Sequence, residues 1–227
     1  MKLPHIPAAV IFDMDGLIFD TEALYQQAFL AASSAGRHNL PITLIQSTIG
    51  VPWLKSRLLI LEQMGPDFPV DQYGEAVTNH FTLLATTQLR LKPGVIELLD
   101  VLDQFKLPRC IATSSSHSTV QSHLSAHGLT SRFDAVIAHG DYAASKPSPD
   151  PFLIAAKRLG VNPALCLALE DSFNGVRSAS AAGMMTFMVP DLLNPTPEIY
   201  SLCTGVLSDL KAVREVILVA LTADTAK

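Results

Sequence analysis

Ala8-Ala9-Val10-Ile11-Phe12-Asp13-Met14-Asp15-Gly16 decides how this chain folds. An apolar run, β-branched and aromatic, ends in two aspartates one residue apart and then a glycine. Such a run, halted by a turn signal, predicts a buried strand of a parallel sheet. Side chains alternate along a strand, so residues two apart point the same way. Asp13 and Asp15 are therefore aimed at one spot past the carboxyl end of the strand, where ligands bind in open α/β sheets. Two carboxylates there repel each other, and a bound hard cation such as Mg2+ relieves the repulsion. Taken alone, D-x-D-G is short and common, and an Asp-rich turn after a strand reads the same way.

Working outward, the pattern changes after Gly16. Residues 17–90 hold no convincing strand. Helical patterns cover 21–35, 41–49, 53–64 and 70–89, punctuated by Gly36, Gly50-Val51-Pro52 and Gly65-Pro66. Lys92-Pro93-Gly94 then restarts an α/β rhythm. Helices are predicted over 93–105, 118–127, 149–159 and 173–182, with a last one capped by Asp209 and running to about Leu221. Strands are predicted over 107–113, 133–138, 164–169 and 184–189, with a short edge strand at 205–207. The alternation implies right-handed crossovers and a doubly wound parallel sheet of the α/β class. The expected division is an α/β core from 1–16 and 91–227, with 17–90 as an all-helical insertion after the first strand.

The 227 residues allow a core domain plus a small one. With 48% hydrophobic and 16% charged residues, the chain can bury a core without disulfide or metal staples. A net charge of −5 gives no basic footprint for nucleic acid. No apolar run approaches the ~20 residues that span a bilayer. The start of the sequence lacks the long apolar stretch of a signal peptide. Cys110, Cys166 and Cys203 are odd in number and far apart, which suits free thiols in a reducing cytoplasm.

Four strand ends carry polar groups: Asp13 and Asp15, Thr113 and Ser114, the loop around Lys146, and Glu170 with Asp171. A parallel sheet brings such ends to one edge. Ser114, with the serines beside it, could hold a phosphate oxygen, or serve as a helix N-cap. Lys146 lies in Ser145-Lys146-Pro147-Ser148-Pro149-Asp150-Pro151, where three prolines stiffen the loop that carries it. Such a loop can aim an ammonium at a carboxylate or phosphoryl oxygen; the alternative is an exposed surface lysine. Glu170 and Asp171 end a very apolar strand, where two acids are costly unless solvated or bound to a cation. Asp171 or Ser172 could instead cap the next helix. Together the set suits phosphoryl transfer: a carboxylate attacks phosphorus, a second acid moves the proton, and Mg2+ with Lys146 offsets the crowded charge.

With these residues in place, the chain resembles the haloacid dehalogenase superfamily of phosphotransferases over nearly its whole length. Phe12-Asp13-Met14-Asp15-Gly16 is similar to the first motif of that family, Thr113-Ser114 to the second, Lys146-Pro147 to the third, and Glu170-Asp171-Ser172 with Gly175 to the fourth. The resemblance implies that Asp13 is the nucleophile and a Mg2+ ligand. It makes Asp15 the general acid/base, with its backbone carbonyl a ligand. Ser114 and Ser115 would hold the phosphoryl group, Lys146 would orient Asp13, and Asp171 with Glu170 would complete the metal site. The insertion resembles the small helical cap of the family, hinged near 17–20 and 91–93, which excludes water and chooses the substrate. Thr48-Ile49-Gly50 resembles a cap loop, making Gly50 a candidate substrate contact. Arg57 and Lys55 follow it, as substrate contacts or as a solvated helix face. Trp53 reads as a packing anchor. His117 could touch phosphate or extend a helix start.

The subgroup resembled contains β-phosphoglucomutase and many small-metabolite phosphatases. The expectation is a Mg2+-dependent phosphomonoester hydrolase acting through an aspartyl-phosphate on a small phosphorylated metabolite, a sugar phosphate or a nucleotide-related ester. No nucleic-acid or membrane partner is expected, and the protein should be a monomer or weak homodimer. The alternative is a phosphosugar mutase, which calls for a basic residue after the second motif and a cap arginine; His117 and Arg57 match that loosely. A non-catalytic phosphometabolite-binding protein would have no need of Asp15.

Overall fold

The computed structural model describes residues 3–48, 51 and 53–223. The chain divides into two compact units: one runs up to Phe19 and resumes at Leu91, and the other is Asp20–Arg90.

The first unit is built on six parallel strands: β1 (Ala9–Phe12), β2 (Arg109–Ala112), β3 (Ala135–Ile137), β4 (Cys166–Glu170), β5 (Met185–Met188) and β6 (Gly205–Val206). Their order across the sheet is β3-β2-β1-β4-β5-β6, every neighbouring pair parallel. β1 is wholly buried, as its unbroken apolar sequence requires. Ala9 and Ile11 share one face with Cys110, Ala112, Cys166 and Ala168; small residues there let helices approach closely, and Phe152 and Ala156 fill the space.

In chain order the helices are α1 (Thr21–Ala35), α2 (Ile42–Thr48), α3 (Trp53–Met64), α4 (Val70–Gln88), α5 (Val95–Gln104), α6 (His117–Ala126), α7 (Asp150–Leu159), α8 (Phe173–Ala181), α9 (Pro197–Leu202) and α10 (Leu210–Thr222). The first four make the second unit. In it the Tyr73 hydroxyl donates to the Phe29 carbonyl at 2.9 Å, and Tyr25 stacks on Phe81. The Trp53 ring lies against Gly74, where any Cβ would collide with it, and Trp53 itself stays 39% exposed. No helix among the described residues is long and apolar enough to cross a membrane.

Four sequence expectations differ from the structure. Pro93 lies outside α5, because Gly94 takes a left-handed φ of +92° and α5 starts only after it. Residues 163–165 form a 3-10 turn, delaying β4 to Cys166. Helix α9 has no counterpart among the predicted helices, although Thr196 caps it and Pro197 opens it. Residues 17–19, which the sequence assigns to the start of the insertion, fold with the sheet: the amides of Ile18 and Phe19 both donate to the Met14 carbonyl.

Candidate active site

The strand order reverses direction between β1 and β4. The chain leaves β1 toward one side for β2 and β3, then returns to the other side for β4, β5 and β6. At such a switch point the loops diverge and leave a crevice past the strand ends. Phe12 pairs with Leu169, so the next residues, Asp13 and Glu170, emerge side by side. The Asp13 amide donates to the Leu169 carbonyl at 2.9 Å, which carries the ladder one residue beyond the strand and fixes the start of the aspartate turn.

Lys146 reaches this point from the loop before α7. Prolines are only part of what stiffens that loop. The Ala144 amide and the Ser148 hydroxyl donate to the Asp150 carboxylate at 3.1 and 3.0 Å, and the Tyr142 hydroxyl donates to the Thr113 carbonyl at 3.1 Å. The ammonium then stands 2.5 Å from Asp13 Oδ1 and 2.5 Å from Glu170 Oε1, with the Phe152 ring centroid 5.1 Å away. All three side chains are at most 10% exposed. Burial works against the ammonium, but Asp13 and Glu170 outweigh it and hold Lys146 charged beyond the ordinary lysine range. Burial also pushes the Asp13 carboxyl up to about 8; Lys146 opposes this, while Glu170 and Asp15 add to it.

Glu170 is fully buried, and both of its oxygens have donors. Oε1 takes Lys146; Oε2 takes the amides of Asp171 and Ser172 at 3.2 Å each and the Ser172 hydroxyl at 3.1 Å. The carboxylate fills the space beside Gly175 that a side chain there would need. The cap of α8 is Ser172, whose hydroxyl oxygen accepts from the Gly175 amide, so Asp171 is not held in that role. Asp13, Glu170 and Asp171 each offer an oxygen within 4.8 Å of the others. Three carboxylates against one lysine leave surplus negative charge, and an all-oxygen donor set suits a hard divalent cation, so the residues present fit one.

Asp15 belongs to a different environment. Its Oδ2 accepts from the Ser115 hydroxyl at 2.7 Å and, more distantly, from the Thr113 hydroxyl at 3.4 Å. Thr113 Oγ1 in turn accepts from the Ser115 amide at 3.0 Å. The Asp15 carboxylate is thus turned toward the end of β2 and is not one of the three clustered above. Gly16 follows at φ +80°, and the Asp171 carboxylate occupies the place a Cβ at 16 would take.

Of the other candidates, Ser114 is exposed, and the cap of α6 is Ser116, which accepts from the Thr119 amide at 3.2 Å. Of the Thr113-Ser114 pair it is Thr113, buried and turned toward Asp15, that joins the candidate site. His117 starts α6, and its Nε2 lies 2.9 Å from Asp141 Oδ2. In the helical unit, Arg57 makes a two-pronged pair with Asp71, Nε and Nη2 donating at 2.8 and 3.1 Å, and Lys55 is exposed. Gly50 lies outside the described residues. Asp191, past β5, also escapes a reading of the sequence; its Oδ1 accepts from Lys92 at 2.7 Å.

The sequence matches the haloacid dehalogenase-like hydrolase family over residues 7–183. It is 34% identical over 187 residues to the probable pseudouridine-5'-phosphatase of Drosophila melanogaster, covering 80% of each chain. It is 33% identical over 182 residues to the fructose-1-phosphate phosphatase YqaB of Escherichia coli K12, covering 78% of this chain and 93% of that one. The fold is similar to that of CbbY from Rhodobacter sphaeroides, solved with phosphate, at a TM-score of 0.71 and 25% identity, covering 90% of this chain and 95% of that one. The order of the strand-end motifs, an acidic cluster at the switch point and these relatives agree: the chain belongs to the haloacid dehalogenase-like hydrolases and is a phosphatase of that family.

Proposed function

We propose that this phosphatase hydrolyses phosphomonoesters of small soluble metabolites, sugar phosphates or nucleotide-related esters, through an aspartyl-phosphate, an acyl phosphate formed on Asp13. The observation that carries the reading is the contrast between its two aspartates. Asp13 sits with Lys146 in the buried acidic cluster, while Asp15 is held by hydroxyls from the end of β2. Two acids in unlike surroundings suit a nucleophile and a proton carrier.

In the first step an Asp13 oxygen attacks phosphorus, the bond to the leaving oxygen breaks, and Asp15 gives that oxygen its proton. In the second, Asp15 takes a proton from water, which attacks the phosphorus and frees Asp13 and inorganic phosphate. Lys146 holds Asp13 in its attacking direction. Ser115, Thr113 and the exposed Ser114 supply hydroxyls at the end of β2 for Asp15 and the phosphoryl oxygens. Mg2+, held by Asp13, Asp171 and Glu170 with the Asp15 backbone carbonyl, would supply the positive charge that lets an anionic carboxylate approach an anionic phosphoryl group. Residues 20–90 take the part of the substrate-selecting cap.

The mutase reading needs cations free to hold a second phosphate. Arg57 and His117 already have carboxylate partners in Asp71 and Asp141, which favours the hydrolase.

The test is phosphate release from a panel of phosphosugars and nucleotides, with Mg2+ and with EDTA. Cation-dependent release with one favoured ester is expected, and Asp13→Asn should abolish it while the protein still melts cooperatively. Release near background on every ester would overturn the hydrolase reading and make β-glucose 1-phosphate, with a trace of the bisphosphate, the next substrate.

A further inference from the structure

Asp191 follows β5 on the same carboxyl edge of the sheet as Asp13 and Asp171. The Val189 amide donates to the Glu170 carbonyl at 2.7 Å, which binds the stretch leading to Asp191 to the end of β4. The Asp191 side chain is 11% exposed. Its Oδ1 accepts from Lys92 at 2.7 Å, which fixes the carboxylate plane. Its Oδ2 is buried, and among the described residues no group donates to it. A buried carboxylate oxygen without a donor is unfavourable, so its presence calls for an explanation.

Gly16 shows where that oxygen lies. A side chain beginning at residue 16 would start 3.5 Å from Asp191 Oδ2 and would run into Asp171 Oδ2. Both oxygens therefore flank the same glycine. Asp171 belongs to the three-carboxylate cluster, whose ligand atoms lie within 4.8 Å of one another, and Asp191 does not. Hard divalent cations keep part of their hydration shell in protein sites, and acceptors just outside the ligands orient what is bound.

We propose that Asp191 is a positioning residue of the metal centre, its Oδ2 accepting a hydrogen bond from the hydration shell of the cation while Lys92 holds the carboxylate in place. The inference rests on the cation site of the proposed function. Lys92 balances the charge of Asp191, so the contribution is one of direction rather than of net charge.

The test is titration calorimetry of Mg2+ into the metal-stripped full-length protein. Asp191→Leu, and the charge-balanced pair Asp191→Leu with Lys92→Met, both of which remove the acceptor, should each raise the Mg2+ dissociation constant about tenfold. Melting of the metal-free proteins provides the second readout, because a purely structural role would lower that melting temperature and leave Mg2+ affinity alone. Affinity within twofold of wild type in both variants overturns the inference and leaves the phosphatase reading standing. A wild type that binds no divalent cation overturns the metal site and this inference with it.

Discussion

Lys146 Nζ stands 2.5 Å from Asp13 Oδ1, and the same ammonium serves Glu170 at equal distance. One buried ammonium thus donates to two buried acid groups, and the wholly buried Glu170 depends on it for charge compensation. Removing one partner of a buried pair leaves uncompensated charge, at a cost of about 3–5 kcal/mol. Lys146→Met should therefore lower the melting temperature of the metal-free protein by roughly 10 °C and reduce turnover at least ~100-fold. An unchanged melting curve would mean that the ammonium contributes nothing to the fold.

The raised pKa of Asp13 gives stability a pH dependence. The native carboxyl keeps its proton up to about 8, whereas an unfolded one loses it near 4, the ordinary value. Between those values the native state binds more protons, so stability of the metal-free protein falls as pH rises. A divalent cation competes with that proton and favours the ionised form. The rise in melting temperature on adding Mg2+ should then be larger at pH 8 than at pH 5. Equal shifts at both pH values would contradict the assignment of Asp13 as a ligand.

Gly175 needs no left-handed backbone, so its constraint is one of space. Alanine there would gain about 1 kcal/mol in helix propensity, yet its methyl group would fall on the Glu170 carboxylate. That carboxylate cannot swing aside without breaking its bonds to Lys146, Ser172 and the Asp171 amide. Overpacking costs about 1–3 kcal/mol, so Gly175→Ala should be destabilising on balance and should weaken Mg2+ binding. A stabilised variant in thermal melting would show that Glu170 is less firmly held than its hydrogen bonds imply.

Much of this is legible in the sequence, for reasons that differ between elements. Helices α1 and α3 have the predicted bounds, since Gly36 and Gly65 punctuate strongly. The buried strands are legible as apolar runs, but their paired lengths are shorter, because a run can extend past the last residue that finds a ladder partner. Asp13, Lys146, Glu170 and Asp171 are legible as strand-end polar groups, and the parallel sheet brings them together. Thr113 does not stand out over Ser114, because both follow the same apolar run; only the phase of β2 decides which of them points toward Asp15. Asp191 is hidden because its significance lies in a partner 99 positions away and in a glycine beside Asp171, neither of which a local pattern reveals.

Arg57 tests how far the cap resemblance extends to individual residues. Its guanidinium is committed to Asp71, which is 71% exposed, so the pair is open to solvent and screened. An arginine with a carboxylate already seated on its fork must give up that partner to take a phosphate, so part of the gain is lost in the exchange. Arg57→Ala should leave the melting curve unchanged and the KM for the favoured ester within about twofold of wild type, in line with exposed positions generally. A tenfold rise in KM at constant kcat would instead show that Arg57 leaves Asp71 to hold bound substrate in the ground state and the transition state alike, and would bring the mutase-type arrangement of cap cations back into consideration.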